Sequence, residues 1–135
     1  MSARVFCSVS LKDLLDHNGF DSQQLKDDFA QYKDSGIPPF TFGRDAEYNH
    51  PNGPSIVRIE KISHIHIEDP LNPWPRHARQ YTKTSDTHLV YCQGFYDADC
   101  YLLMAILSPN AHEQALNNNI MHKLGKMAEK FRSKY

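Results

Sequence analysis

Histidine, carboxylate and basic residues recur at strand-like spacing in the middle of this 135-residue sequence. The segment Ser-His-Ile-His-Ile-Glu at residues 63–68 puts His64, His66 and Glu68 at alternate positions. On a β-strand these side chains project from one face, because successive residues point to opposite sides of the sheet. Two imidazoles and a carboxylate suit zinc or iron. The alternative is a polar strand face opposite Ile65 and Ile67, which we prefer because no second cluster with ligand-like spacing accompanies it.

A second group of histidine and basic residues surrounds residues 88–107. His88 and His112 flank two apolar runs that can pair as a hairpin, so both imidazoles are expected at the same end of the sheet. Arg79, Tyr81 and Lys83 come from the preceding segment and can approach that edge. Imidazoles transfer protons near neutral pH and cations stabilise charge on phosphate oxygens, so this grouping favours phosphodiester chemistry. Taken singly, each is an ordinary surface residue.

Basic residues also gather near the end of the sequence. Apolar residues from position 116 to 131 recur at spacings of four, four, three and four, which predicts an amphipathic helix. Its polar side carries His122, Lys123 and Lys126. That side could contact an RNA backbone or an acidic partner, although composition alone favours a solvated surface. Arg44 and Asp45, in a long segment expected to be irregular, can pair with each other.

Composition narrows the class of protein. Fifteen Lys and Arg against sixteen Asp and Glu give a formal net charge of −1, so an overall basic field is absent. The length predicts one domain over residues 1–135. We find no signal peptide, no apolar run long enough for a membrane helix, and only three cysteines, so we expect a reduced cytoplasmic location. P-loop, GxSxG and HExxH motifs are also absent.

The secondary structure that positions these residues is predicted from periodicity and turn residues. We expect an edge strand at residues 4–10 and two helices within residues 11–32. The break between the helices is expected at Asn18, and Asp21 or Ser22 is expected to cap the second one. Residues 55–68 predict a strand bulged near Lys61, and residues 79–83 predict a short strand. The hairpin at 88–93 and 100–107 and the final helix complete the chain. The fold class is α+β, with a small antiparallel sheet flanked by N-terminal helices and a C-terminal helix.

The order of several short motifs resembles the YafO family, the toxin halves of bacterial type II toxin–antitoxin pairs. The resemblance covers the chain from about residue 32 onward. Its motifs are Phe42-Gly-Arg-Asp-Ala46 with Tyr48, His64-Ile-His-Ile67, Asn72-Pro73 with Pro75, His88-Leu-Val-Tyr-Cys-Gln-Gly94, Leu102-Leu103, Ala105-Ile-Leu107, His112, Asn117-Asn118, Met121-His-Lys123, Gly125-Lys-Met-Ala-Glu129 and Phe131-Arg132.

A more distant similarity is to the RelE/YoeB-like toxins. Their hairpin, with a basic residue before Leu-Val-Tyr, looks like residues 88–91 of this chain. The chain differs from them in two respects. His88 stands where those toxins have arginine, and a further helix follows where those toxins end.

These resemblances imply a RelE-like fold and an mRNA interferase that cuts transcripts on the ribosome, with a cognate antitoxin as its inhibitor. The implied chemistry needs no cofactor or metal: a base activates a ribose 2′-hydroxyl, which attacks the adjacent phosphorus. Our hypothesis assigns proton transfer to His88 and His112, and phosphate binding to Arg79 and Lys83. His66 is a reserve base. The residues expected to contact RNA or the ribosome are Arg44, Tyr81, His122, Lys123 and Lys126.

Two other functions stay open from the sequence. The chain could inhibit translation by binding the ribosome without cutting RNA, or it could be a metalloenzyme built on His64, His66 and Glu68. The near-neutral charge favours dependence on the ribosome, because a free nuclease needs a stronger positive field to capture RNA. The partners expected are therefore mRNA, the ribosome and an antitoxin, with no membrane.

Overall fold

The structure, a computed structural model that describes residues 2–135, is built on a five-stranded sheet with helices on both faces. The strands are β1 (Arg4–Cys7), β2 (Phe42–Glu47), β3 (Ser63–Ile67), β4 (His88–Gln93) and β5 (Cys100–Leu107). Their order across the sheet is β1-β5-β4-β3-β2. The predicted α+β class is confirmed. The sheet is not wholly antiparallel, however, because β1 pairs in parallel with β5.

Five α-helices cover the sheet. They are α1 (Val9–His17), α2 (Ser22–Ser35), α3 (Ser55–Ile59), α4 (Ala111–Ala115) and α5 (Asn118–Lys134). The predicted break between the first two helices lies at Asn18, and Asp21 caps α2 by accepting from the Gln23 amide (2.9 Å). No helix in the described residues is long and apolar enough to cross a membrane.

Each face of the sheet packs against its own group of helices. On one face, α1 and α2 bury Leu11, Leu15, Phe29 and Tyr32 against the strands. On the other, the core joins the strands to α3, α4 and α5. Along β4 the side chains alternate, so Leu89 and Tyr91 face α1 and α2 while Val90 and Cys92 face α5. His88, two residues before Val90, therefore lies on the α5 face.

A bulge in β5 places one extra residue on the α5 face. Val90 pairs with Ala105 and Tyr91 pairs with Leu103, so Met104 has no partner on β4. Because of this extra residue, Met104 and Ala105 both contact the α5 core, and Leu107 follows them there. The chain therefore enters α4 on the same side of the sheet as His88.

Three predicted elements differ in the structure. Residues 55–68, predicted as one strand, form α3 and then β3. The β-bulge predicted near Lys61 is instead the turn between these two elements, in which Lys61 has a φ of 52°. Residues 42–47, expected to be irregular, form edge strand β2 because they pair with β3. Residues 79–83 are not a strand, since Gln80–Thr82 form a single 3₁₀ turn in which the Thr82 amide donates to the Arg79 carbonyl.

Helices α3 and α5 approach each other closely at Gly125. A Cβ atom at this position would lie 2.3 Å from Cγ2 of Ile56, so only glycine allows the contact. Val57 is buried in the same core. These contacts stabilise the short helix α3, although its β-branched residues favour a strand.

Candidate active site

A pocket of about 440 Å³ opens on the α5 face, where β3 ends and β4 begins. Strands β2, β3 and β4, helices α3 and α4, and the start of α5 all contribute to its wall. Its polar lining is rich in imidazoles and contains two guanidinium groups. The imidazole, guanidinium and phenol groups belong to Arg44, Tyr48, His50, Arg58, His64, His66, His88 and His112, and the polar lining also includes Glu47, Asn49 and Ser85.

Three of these histidines form a compact cluster, which we call the histidine triad: His64, His66 and His88. His66 is paired with His88 across β3 and β4, and His64 precedes His66 by two residues on the same face. The ring centroids lie 4.4 Å apart for His66 and His88, 4.5 Å for His64 and His88, and 5.2 Å for His64 and His66. The strand register therefore sets the spacing of the triad.

Neighbouring groups hold the rings in place. Tyr48 stacks on His64 with centroids 4.0 Å apart, and its Oη lies 2.7 Å from Nδ1 of His88. Nδ1 of His66 lies 2.9 Å from the Ser85 amide nitrogen and 3.0 Å from the Ser85 carbonyl oxygen. The amide can donate to an unprotonated Nδ1, and the carbonyl can accept from a protonated one. When Nδ1 of His66 or His88 carries the proton, the neutral ring keeps a free lone pair on Nε2.

Burial makes the triad neutral. Burial, together with the neighbouring imidazoles of His64 and His66, lowers the pKa of His88 to about 3. Burial, followed by the His66 ring, lowers the pKa of His64 to about 4. Burial also lowers the pKa of His66 and raises the pKa of the Tyr48 phenol. Near pH 7 the triad therefore holds three neutral imidazoles beside the protonated phenol of Tyr48.

Cations and a further imidazole lie around the triad. Arg44 Nε donates to the Tyr81 carbonyl (2.7 Å), and its guanidinium lies 4.1 Å from the centre of the Tyr81 ring. Its two Nη nitrogens have no hydrogen-bond partner among residues 2–135. Arg58 instead donates from Nη1 to the carbonyls of the loop before α3. His112, in α4, is exposed at the rim. Neutral bases, a free guanidinium and an exposed imidazole suit proton transfer beside an anionic group.

Residues 30–133 match the family described as Toxin YafO, type II toxin-antitoxin system. The chain belongs to the YafO toxin family. The pocket residues from Arg44 to His112 all lie within this match. A curated relative, mRNA interferase toxin YafO of Escherichia coli (strain K12), is 46% identical over 112 residues, which cover 82% of this chain and 85% of that protein. Among solved structures none matches, so the RelE-like detail of the fold stays a prediction.

In this YafO-family chain, the pocket brings together five of the residues that the sequence singled out. They are Arg44, His64, His66, His88 and His112. Arg44 was expected only to contact RNA or the ribosome, and the structure places it beside the imidazoles. The expected pairing of Arg44 with Asp45 is not found, because the Asp45 carboxylate accepts from Tyr32, Lys33 and Tyr91 on the other face of the sheet.

The two residues expected to bind phosphate do not line the pocket. The Lys83 side chain is buried: Nζ donates to the Phe40 carbonyl (2.7 Å) and lies 4.2 Å from the Phe40 ring centre and 4.9 Å from that of Trp74. Burial also lowers the Lys83 pKa. Arg79 is exposed just before the 3₁₀ turn. Because residues 79–83 turn rather than extend along the sheet, neither cation reaches the imidazoles.

The remaining predicted residues lie outside the triad. Glu68 accepts from the Trp74 amide (3.1 Å) instead of joining His64 and His66, since β3 ends at Ile67. Tyr81 contacts the site only through Arg44. The side chains on the exposed side of α5 lie outside the pocket, and their role in RNA binding stays a prediction; they are His122, Lys123 and Lys126.

Sequence reasoning did not assign roles to two pocket residues, Tyr48 and Arg58. Tyr48 stood in one of the family motifs, but its contact with His88 spans forty positions of the chain and has no local signal. Arg58 lay in a segment expected to be a strand. The proximity of His64 and His66 to His88 depended on the register between β3 and β4, which the sequence does not state.

Proposed function

We propose that this protein is the toxin of a type II toxin–antitoxin pair and acts in the cytoplasm as a ribosome-dependent mRNA interferase. The single observation that supports it best is the convergence of neutral imidazoles, a free guanidinium and a rim histidine in one pocket. The name of the Escherichia coli relative agrees with this chemistry. The proposed partners are mRNA, the ribosome and a cognate antitoxin.

His88 is the proposed general base. In the tautomer in which Nδ1–H donates to Tyr48 Oη, the Nε2 lone pair is free to take the proton of a ribose 2′-hydroxyl. The 2′-oxygen then bonds to the adjacent phosphorus while the bond from phosphorus to the 5′-oxygen breaks. The products are a 2′,3′-cyclic phosphate and a 5′-hydroxyl. A phosphate in the pocket also favours the imidazolium that forms, because its negative charge opposes the effects that lower the His88 pKa.

His112 is the proposed general acid. His88 with a pKa of about 3 holds no proton near neutral pH, so it cannot supply one to the leaving oxygen. His112 lies on the rim of the same pocket, and its exposed imidazole can reach the leaving 5′-oxygen of an RNA strand bound there. His66 remains the reserve base, with its ring held by Ser85.

Arg44 is the proposed phosphate ligand, in place of Arg79 and Lys83. Its Nε is bound to the Tyr81 carbonyl and its plane lies over the Tyr81 ring, so the guanidinium is held with both Nη groups available. A planar pair of N–H donors matches two phosphate oxygens. Tyr81 therefore acts as a positioning residue for Arg44.

Dependence on the ribosome follows from the distribution of charge. The chain has a net charge of −1, and its exposed cations are spread over the surface, with Lys61, Arg76 and Arg79 outside both the pocket and α5. Such a surface captures free RNA weakly, whereas a ribosome presents mRNA already in position. The proposed contacts of α5 with RNA are made by His122, Lys123 and Lys126.

The test is cleavage-site mapping in a reconstituted translation system, with and without ribosomes. We expect new 5′-hydroxyl ends and 2′,3′-cyclic phosphates that need ribosomes, persist in a zinc-selective chelator that leaves Mg²⁺ in place, and disappear with His88→Gln. The matched control is His17→Gln, an exposed histidine at the end of α1, which should cleave as wild type. Arrested translation without new ends would show a non-catalytic ribosome inhibitor. Loss of cleavage in chelator would contradict the metal-independent chemistry.

A further inference from the structure

The histidine triad has the composition of a transition-metal site. One ring nitrogen from each of His64, His66 and His88 can be chosen so that the three lie within 4.8 Å of one another. In a tetrahedral zinc site with Zn–N bonds of about 2.0–2.1 Å, neighbouring donor atoms are about 3.3 Å apart. The donor nitrogens therefore need to draw together by less than about 2 Å when an ion binds.

The surroundings of the triad are those of metal-binding imidazoles. Such rings donate the N–H that is not at the metal to a nearby oxygen, which fixes the tautomer. Tyr48 Oη lies 2.7 Å from Nδ1 of His88, and the Ser85 carbonyl lies 3.0 Å from Nδ1 of His66. His88 can therefore present Nε2 to an ion, and His66 can do so in the tautomer in which its Nδ1–H donates to the Ser85 carbonyl rather than accepting from the Ser85 amide. His64 adds a second, independent observation: its Nδ1 is buried and has no hydrogen-bond partner among the described residues.

The donor set selects the class of ion. Three neutral imidazoles suit zinc, cobalt, nickel and copper, whereas magnesium and calcium prefer carboxylate and carbonyl oxygens. Glu68, the carboxylate that the sequence placed beside His64 and His66, is bound to the Trp74 amide, and Glu47 lines the pocket without belonging to the cluster. The pocket beside the triad leaves room for a water molecule as a fourth ligand.

We infer that the histidine triad binds one zinc-class divalent cation, and that the metal-bound protein is inactive as a ribonuclease. The claim that the metal-bound protein is inactive rests on the proposed function, because it depends on His88 as the general base. A metal ion bound to Nε2 of His88 occupies the lone pair that would accept the 2′-hydroxyl proton. The cation is thus an inhibitor that competes with catalysis for the same nitrogen.

Binding is tested with the metal-free full chain titrated with Co²⁺ and Zn²⁺. We expect one equivalent of Co²⁺ to give the intense visible absorption of a tetrahedral site, and Zn²⁺ to displace it and raise the melting temperature. His64→Gln, His66→Gln and His88→Gln should each weaken binding at least tenfold. The matched control is His50→Gln, which removes a pocket-lining histidine outside the triad and should leave binding unchanged.

Two results would overturn the site. One is the absence of a one-to-one cobalt spectrum in the wild-type protein, a measurement that needs no variant to fold. The other is equal binding by wild type and by triad variants whose circular dichroism shows that they are folded.

Inhibition is tested by ribosome-dependent cleavage with and without one equivalent of Zn²⁺. We expect cleavage to fall at least tenfold and to return on addition of a zinc-selective chelator that leaves Mg²⁺ in place. Metal binding with undiminished cleavage would overturn the inhibitory half and leave the site. Cleavage that requires the metal would also overturn inhibition, and it would contradict the metal-independent mechanism. Cleavage without any metal binding would overturn the site while the proposed function stands.

Discussion

His66 and His88 lie directly opposite each other on adjacent antiparallel strands, with ring centroids 4.4 Å apart and planes inclined by 69°. Both side chains are buried, so the surrounding core and the strand register fix their distance. A slip of one residue between β3 and β4 would send one of the rings to the α1 and α2 face. The proposed base and its neighbour are thus built on the most regular part of the fold.

Replacing either proposed proton-transfer residue should abolish toxicity. His88→Ala and His112→Ala should each slow cleavage by about 10²–10⁴, the usual contribution of general acid–base catalysis, and should relieve growth arrest. The measurements are the cleavage rate on translated mRNA and growth after induction, with circular dichroism as the check of folding. His17→Ala is the control, since that histidine is exposed at the end of α1. Full toxicity of both variants would refute the assignment.

Tyr48→Phe should separate positioning from packing. The variant keeps an aromatic ring to stack on His64 but lacks the oxygen that lies 2.7 Å from His88 Nδ1. We expect kcat to fall about tenfold with KM nearly unchanged, because the base loses the group that orients it. Stability should change by about 1 kcal/mol, the typical net contribution of one hydrogen bond. Single-turnover cleavage and urea denaturation measure the two effects, and a wild-type kcat would exclude the positioning role.

Lys83 should matter for stability and Arg44 for cleavage. Lys83→Met keeps an apolar chain between Phe40 and Trp74 but removes the donor to the Phe40 carbonyl, so it should destabilise the fold by about 1–3 kcal/mol. The folded fraction should still cut RNA at the wild-type rate. Arg44→Lys, which loses the planar guanidinium over Tyr81, should cut at least tenfold more slowly at wild-type stability. A Lys83→Met variant that is as stable as wild type but inactive would contradict this prediction and support a role for Lys83 in phosphate binding.

The fold should lose stability in acid because of the triad. Unfolded imidazoles titrate near pH 6.5, whereas the folded pKa values of His88 and His64 are about 3 and about 4. Between these limits the unfolded chain binds protons that the folded chain does not. The free energy of unfolding therefore decreases as pH falls below about 6.5, by up to about 1.4 kcal/mol per pH unit for each imidazole that stays neutral.

Urea denaturation between pH 7.5 and 4.5 measures this slope. His88→Gln should make the slope shallower than in wild type, because the variant has one buried imidazole fewer. His17→Gln should keep the wild-type slope, since it removes an exposed histidine. Parallel slopes for wild type and His88→Gln would contradict the lowered pKa of His88.

Gly125→Ala should destabilise the protein through α3. The added Cβ would lie 2.3 Å from Cγ2 of Ile56, so the two helices must separate, at a cost of about 1–3 kcal/mol. The neighbouring Lys126→Ala, on the exposed side of α5, should change stability by less than about 0.5 kcal/mol. Thermal denaturation of the two variants compares them directly. Equal melting temperatures would show that α3 can move without loss.

Features with a strong local signal were predictable from the sequence. The hairpin of β4 and β5 follows from two apolar runs around a short turn, and α5 follows from its amphipathic spacing. The short helix α3 was not predictable in this way. Its residues favour a strand, and its helical form depends on the burial of Val57 and the contact of Ile56 with Gly125.

Only the part of the candidate site that has a local signal was predictable from the sequence. Alternation along one strand correctly put His64 and His66 on one face. Tertiary structure decided the rest: the pairing of β3 with β4 added His88, and the turn at Gln80–Thr82 moved Lys83 away from the imidazoles. Arg44 reached the pocket because residues 42–47 pair as an edge strand, which no periodicity in that segment indicated.

The unpaired Met104 makes β5 tolerant of losing one residue at this point. Exchanging Met104 for another apolar residue alters packing and leaves the path of the chain as it is. Deleting it would remove the bulge and join Leu103 directly to Ala105, so Ala105 and Leu107 would keep the α5 face and Ile106 the opposite one. A loss of three nucleotides at this codon would therefore shorten the strand and still leave His112 on the side of the sheet where His88 lies.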